Sequence, residues 1–290
     1  MKSLQLFSLF LLALTPTLLA SDLVAPGAKV EKLASGFTFT EGPAADASGN
    51  VYFSDIPNQD IHHWSVSEKK LTTFMDESGG TNGLYFDKDG QLLGCQTVEK
   101  QVASIDPKTK KVTPITSEYN GARYNKPNDL WIDPKGGIYF TDPNYGRQEM
   151  TQDGEHVYYI NPARDKVIRV ADDFNKPNGL IGTPDGKTLY IADPGEGKTY
   201  KYTIADDATL KDKELFCDSG SDGLTLDEKG NLYITADAVD IYSPEGELIE
   251  SIEIPEKPAN VTFGGKENKT LFVTARTSLY SVEMAVAAAE

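Results

Sequence analysis

Hydrophobic and polar positions along this chain alternate in short bursts, and the bursts come in pairs. A polar or turn pair is followed by a short apolar strand, an acidic-glycine turn and a second strand, and the theme recurs six times. The copies begin at Glu41 (EGPAADASGNVYFSD), Thr81 (TNGLYFDKDGQLLGCQ), Pro127 (PNDLWIDPKGGIYFTD), Pro177 (PNGLIGTPDGKTLYIAD), Ser221 (SDGLTLDEKGNLYITAD) and Pro258 (PANVTFGGKENKTLFVTA). Their matching polar positions, Glu41, Asn82, Asn128, Asn178, Asp222 and Asn260, lie 38 to 50 residues apart. A unit of that length with several short strands has the period of a β-propeller blade. A flat sandwich also has many short strands, but gives no reason for six in-phase copies.

Within the second unit four strands can be counted, at Leu84–Phe86, Leu92–Gln96, Val102–Ile105 and Val112–Thr116, separated by Gly, Asp, Pro or Lys-rich turns. The sixth unit falls short. After Leu279–Val282 only Glu283–Glu290 remains, which reads as a frayed tail, while the strand-like Lys29–Ala34 precedes the first unit with no unit of its own. The expectation is therefore an all-β, six-bladed propeller with four strands per blade, in which the N-terminal strand completes the last blade. Such closure leaves fewer exposed sheet edges. Residues 21–290 form one domain on this reading, with no linker.

Residues 1–20 read differently. Lys2 precedes an apolar stretch, Leu4 to Leu19, that gives way to Ser21-Asp22 after Ala20. This predicts a secretory signal peptide cleaved after Ala20, and a periplasmic or secreted mature chain. The run is shorter than the roughly 20 residues that span a bilayer, and Pro16 interrupts its end, so no membrane anchor is expected after cleavage.

Charge narrows the partners. With 28 basic against 44 acidic side chains, the formal net charge is −16, which disfavours nucleic acid and anionic membranes. The sequence does not fix the oligomeric state, though the charge disfavours self-association and so favours a monomer. Cys95 and Cys217 stand in unrelated contexts and read as two separate buried thiols. With two Cys and three His there is little for a thiolate or imidazole metal site, so any metal should be held by oxygen. The His62-His63 pair, in a blade's third strand, reads as surface or edge structure.

Asp89-Gly90 and Asp185-Gly186 sit between two strands and read as hairpin turns. Asn82-Gly83, Asn128-Asp129, Asn178-Gly179 and Asp222-Gly223 instead come just before a first strand, where no hairpin is required. First strands line a propeller's channel, so these positions gather around one mouth together with Glu41 and Asn260. Two carboxylates and several amides make a hard, oxygen-only set suited to calcium, magnesium or manganese better than to zinc or copper. Two carboxylates ~5 Å apart at an effective dielectric near 20 repel by roughly 3 kcal/mol, so either one takes a proton or a cation sits between them. The residues alone leave open a metal site or simple polar capping of strand ends.

The segments Glu41-Gly42-Pro43, Arg123 to Asp129 (RYNKPND), Phe140 to Gly146 (FTDPNYG), Lys176 to Leu180 (KPNGL), Asp222-Gly223 with Gly230 to Tyr233, and Thr274 to Tyr280 resemble the gluconolactonase family. That group includes senescence marker protein (regucalcin) and, more distantly, diisopropyl-fluorophosphatase. The resemblance covers about Glu31 to Val282. It implies a six-bladed propeller that opens sugar lactones, with one divalent cation in the channel. Calcium is the expected ion, with magnesium, manganese or zinc as substitutes. The implied ligands are Glu41, Asn178 and Asp222, with Asn128 a fourth ligand or a substrate contact; Arg123 and Lys126 match positions beside the substrate. The segment after Tyr145 is expected to form pocket wall or lid, and Tyr145 itself to be packing.

The chemistry this implies is ester hydrolysis. The cation stabilises charge on the lactone carbonyl oxygen, and Asp222 serves as general base toward water, with direct attack by its carboxylate as the other possibility. Competing readings keep the site for other lactones or phosphotriesters, or make the propeller a non-catalytic binding module. Asp142 and Asp193, each closing a second strand, are expected to fix turns.

Overall fold

In a computed structural model describing residues 23–146 and 148–289, the chain forms six four-stranded antiparallel sheets. The predicted signal peptide lies outside the described residues. Blade 1 is Thr40–Ala45, Val51–Asp55, Asp60–Ser65 and Lys70–Met75. Blade 2 is Thr81–Phe86, Leu92–Gln96, Gln101–Ile105 and Val112–Thr116, so each strand counted in the second repeat is present with only its N-terminal bound moved. Blade 3 comprises Leu130–Ile132, Ile138–Asp142, His156–Ile160 and Val167–Ala171. Blade 4 has Leu180–Gly182, Thr188–Asp193, Lys198–Ile204 and Leu210–Cys217, and blade 5 Leu224–Leu226, Leu232–Thr235, Val239–Tyr242 and Leu248–Ile252. In blade 6, Pro258–Gly264, Thr270–Ala275 and Ser278–Glu283 are joined by Glu31–Ser35, which pairs antiparallel with Ser278–Glu283 as the outermost strand. The N-terminal strand thus closes the ring. A two-stranded ribbon, Glu118–Tyr119 with Ala122–Arg123, stands apart between blades 2 and 3.

Each blade is covered on both faces by its neighbours, so middle strands such as Leu92–Gln96, Ile138–Asp142 and Thr270–Ala275 are buried at every position. Trp131 and Tyr139 of blade 3 pack with Leu180, Leu189 and Ile191 of blade 4, and Tyr233 of blade 5 packs with Val261 and Phe263 of blade 6. Each such side chain contributes roughly 1.5–3 kcal/mol when fully buried.

Two expectations are corrected. The tail is not frayed: Met284 and Val286 are buried, Val24 pairs with Met284, Asp227 pairs with Ala288, and the Ala289 N–H donates to the Leu226 carbonyl. Its small alanines let the backbone lie close against blades 5 and 6. His62 is not at the surface either. It is buried with its ring 4.8 Å from Phe37 and 5.3 Å from Phe53, and burial lowers its pKa. Cys95 and Cys217 are buried and free.

Candidate active site

The residues that open each first strand are placed by a device repeated in three blades. An aspartate closing the second strand reaches back and accepts hydrogen bonds from the loop that leads into the first. Asp55 takes the N–H groups of Thr38 (3.0 Å) and Phe39 (2.9 Å), just before Glu41. Asp142 takes Asn125 (2.9 Å) and Lys126 (2.8 Å), just before Asn128. Asp193 takes Asn175 (2.7 Å) and Lys176 (2.9 Å), just before Asn178. These aspartates do fix turns, and the turns they fix are the ones that aim the site. Burial raises the Asp142 pKa to about 7.

Adjacent blades interlock at the same level. Thr141 donates through its hydroxyl to the Asn178 carbonyl (2.8 Å), and Ser54 does so to that of Asn82 (2.7 Å). Gly42, at φ +44°, lets its backbone approach Asn82 so closely that a Cβ there would lie 2.0 Å from the Asn82 carbonyl oxygen. Gly223 gives the same allowance to the Asn260 side chain.

The ring brings Glu41, Asn178 and Asp222 together. The Asn178 amide nitrogen donates to the Asp222 carboxylate and to the Tyr145 hydroxyl (2.7 Å). Burial together with the nearby Asp222 charge pushes the Glu41 pKa well above the ordinary carboxylate range. Burial raises Asp222 as well, although the residue keeps partial exposure to solvent. The Asn178 side-chain oxygen is buried with no hydrogen-bond partner. Beneath them Asp129 accepts a long hydrogen bond (3.5 Å) from Asn260 of the opposite blade, and burial raises its pKa to about 7. Asn128 is buried at the start of blade 3, and no hydrogen bond joins its side chain to the other three.

Two further cations were expected here. Lys126 is half-buried, and its ammonium lies over the backbone at Gly146, beside Tyr145. Arg123 is exposed in the two-stranded ribbon, where its guanidinium donates to the Glu99 carbonyl. Tyr145 departs from expectation. It is 36% exposed, its hydroxyl is on Asn178, and the Lys176 ammonium sits 5.1 Å from its ring centroid. Its position in the loop after a second strand, which opens on the same face as the strand starts, was the signal available for it.

A cavity of about 970 Å³ lies on the other side of this polar layer. Asp129 and Asn260 line it, with Trp131, Leu226 and Phe263 along its walls and Asp46 and Lys88 at the far hairpin turns. Glu41, Asn178 and Asp222 do not line it. The Glu41–Asp222 pair thus lies outside this cavity.

Residues 39–277 match the family described as the SMP-30/Gluconolactonase/LRE-like region. The chain belongs to this family. It is 27% identical to a gluconolactonase of Zymomonas mobilis subsp. mobilis, with 87% of this chain and 80% of that protein covered. A solved gluconolactonase of Xanthomonas campestris superposes with a TM-score of 0.85 at 26% identity, covering 91% of each chain. Regucalcin of Agrobacterium tumefaciens, described as a calcium-binding protein, shares the fold, with a TM-score of 0.77 at 22% identity over 90% of this chain and 95% of that one. With family membership goes the enzyme class, an ester hydrolase acting on lactones.

Proposed function

We propose that the chain opens a sugar lactone at the Glu41–Asn178–Asp222 mouth, with a divalent cation as cofactor. The observation that carries the cation is the Asn178 side-chain oxygen, buried and unpartnered beside the buried Glu41 and the partly exposed Asp222. A buried oxygen without a donor costs about 1–3 kcal/mol, and two adjacent acids need either a proton or a positive charge. Among the described residues no three His, Cys, Asp or Glu side chains gather at one point; the donors proposed here are two carboxylates and amides. Glu41, Asn178 and Asp222 would hold the ion, with Asn128, at the equivalent strand-opening position of blade 3, as the candidate for a fourth oxygen or a substrate contact. Oxygen donors favour calcium, in keeping with the calcium-binding relative. When bound, the ion supplies Lewis-acid stabilisation of the developing carbonyl charge.

The chain's own residues do the rest. Asp222, partly open to solvent, takes a proton from water as the water oxygen bonds to the carbonyl carbon. It returns that proton to the ring oxygen as the ester C–O bond breaks, so the product is the open hydroxy acid. Asn178 holds the Asp222 carboxylate in place through its amide. Lys126, against Gly146 beside Tyr145, is placed to meet substrate oxygens, and Arg123, exposed in the ribbon, is the second candidate contact.

Asp222→Asn is expected to lower kcat on glucono-δ-lactone by 10²–10⁴-fold while calcium is still bound; near-normal turnover with normal metal content would eliminate the base assignment. The export reading belongs with this proposal, and N-terminal sequencing of protein secreted from a native-type host should begin at Ser21. A chain retaining Met1 would refute it.

A further inference from the structure

We propose that Tyr145 is a positioning residue that sets the rotamer of the Asn178 amide, so that the amide oxygen faces the cation. The proposal rests on the cation reading above and assigns a task to a side chain that the reaction scheme leaves unused.

The argument begins with hydrogen-bond chemistry. An ionised Asp222 accepts only, so the Asn178 atom against it must be the amide nitrogen. That nitrogen has a second hydrogen, and the Tyr145 hydroxyl accepts it at 2.7 Å. Both donors are then spent on one side, and the oxygen is left buried and unpartnered on the other. Once Asp222 engages a cation it becomes a weaker acceptor, and Tyr145 is the contact that still holds the amide.

The ring is itself held. The Lys176 ammonium lies 5.1 Å from the Tyr145 ring centroid, fixed by the Glu155 carboxylate (3.0 Å) and the Asn144 carbonyl (3.1 Å). Glu155 in turn accepts the Asn144 N–H at 2.9 Å. A chain of contacts from Glu155 through Lys176 to Tyr145 therefore ends on one amide. At 36% exposure Tyr145 is not core packing, and the same strut pins the Asn144 backbone just before it.

Calorimetric titration of the chelator-stripped protein with calcium tests this. Tyr145→Phe should bind calcium about tenfold more weakly, while its metal-free Tm stays within about 2 °C of the parent. Asn178→Asp offers two acceptor oxygens and no amide to orient, so adding Tyr145→Phe to it should change calcium affinity less than about twofold. Equal calcium affinity in the parent and Tyr145→Phe would overturn this proposal alone, as would an undiminished tenfold loss in the Asn178→Asp background. A parent chain that takes up no calcium would overturn the cation reading itself, and this proposal with it.

Discussion

At the scale of single residues, the mouth trades stability for chemistry. Glu41 and Asp222 are held together in a place where burial raises both pKa values. Glu41→Gln removes one acid of the pair, so the metal-free Tm should hold or rise while the calcium-induced rise in Tm disappears. Differential scanning with chelator and with calcium reads both, and a metal-free Tm lowered by several degrees would show that Glu41 is chiefly structural. Gly42 tests the interlock of blades 1 and 2. A Cβ there meets the Asn82 carbonyl oxygen at 2.0 Å on a backbone with φ +44°, so Gly42→Ala should cost about 3 kcal/mol in denaturant unfolding. A neutral result would mean that the two blades are not in close contact there.

At the scale of elements, closure of the ring depends on two features that differ in how plainly they can be read. The N-terminal strand was legible because Lys29–Ala34 had β pattern and the sixth repeat lacked a strand. Its junction is clamped by Glu256, which accepts from the Thr277 N–H (3.0 Å) and the hydroxyls of Thr277, Ser278 and Tyr280, with Lys32 alongside (3.1 Å). Burial alone would raise the Glu256 pKa; these donors outweigh it and lower it to about 2. Because the folded value lies below the unfolded one, the clamp's stabilisation is full above about pH 4.5 and fades as pH falls toward 2. Glu256→Gln should therefore flatten that part of the acid-unfolding curve, and an unchanged curve would count against the clamp. The tail was illegible because an alanine run has no period to read, and its partners Leu23, Leu226 and Asn268 are remote in sequence. Deleting residues 284–290 should cost roughly 4 kcal/mol from the lost burial of Met284 and Val286. A urea midpoint unmoved by the deletion would show that the tail contributes little.

At the scale of the whole molecule, circular arrangement turns repeat phase into a site. The strand-opening positions were legible as a set because they recur in phase, and Glu41, Asn178 and Asp222 do meet. What the repeat could not reveal was anything outside the phase: the reach of Tyr145 from a loop, and the floor laid by Asp129 and Asn260 across opposite blades. Buried acids also set the response of the metal-free protein to pH. Burial raises Asp129 and Asp142 to about 7, so their protons are held more tightly folded than unfolded. Their stabilisation is full below about pH 4 and is lost as pH rises through about 7, so the chelated protein should melt at a lower temperature at pH 8 than at pH 5. A flat or rising profile would contradict those shifts. The most direct measurement is a crystal structure of the protein grown with calcium and the hydroxy-acid product. One calcium ion should lie 2.3–2.6 Å from oxygens of Glu41, Asn178 and Asp222, with the product beside it; an ion or product seated only in the opposite cavity would contradict the account.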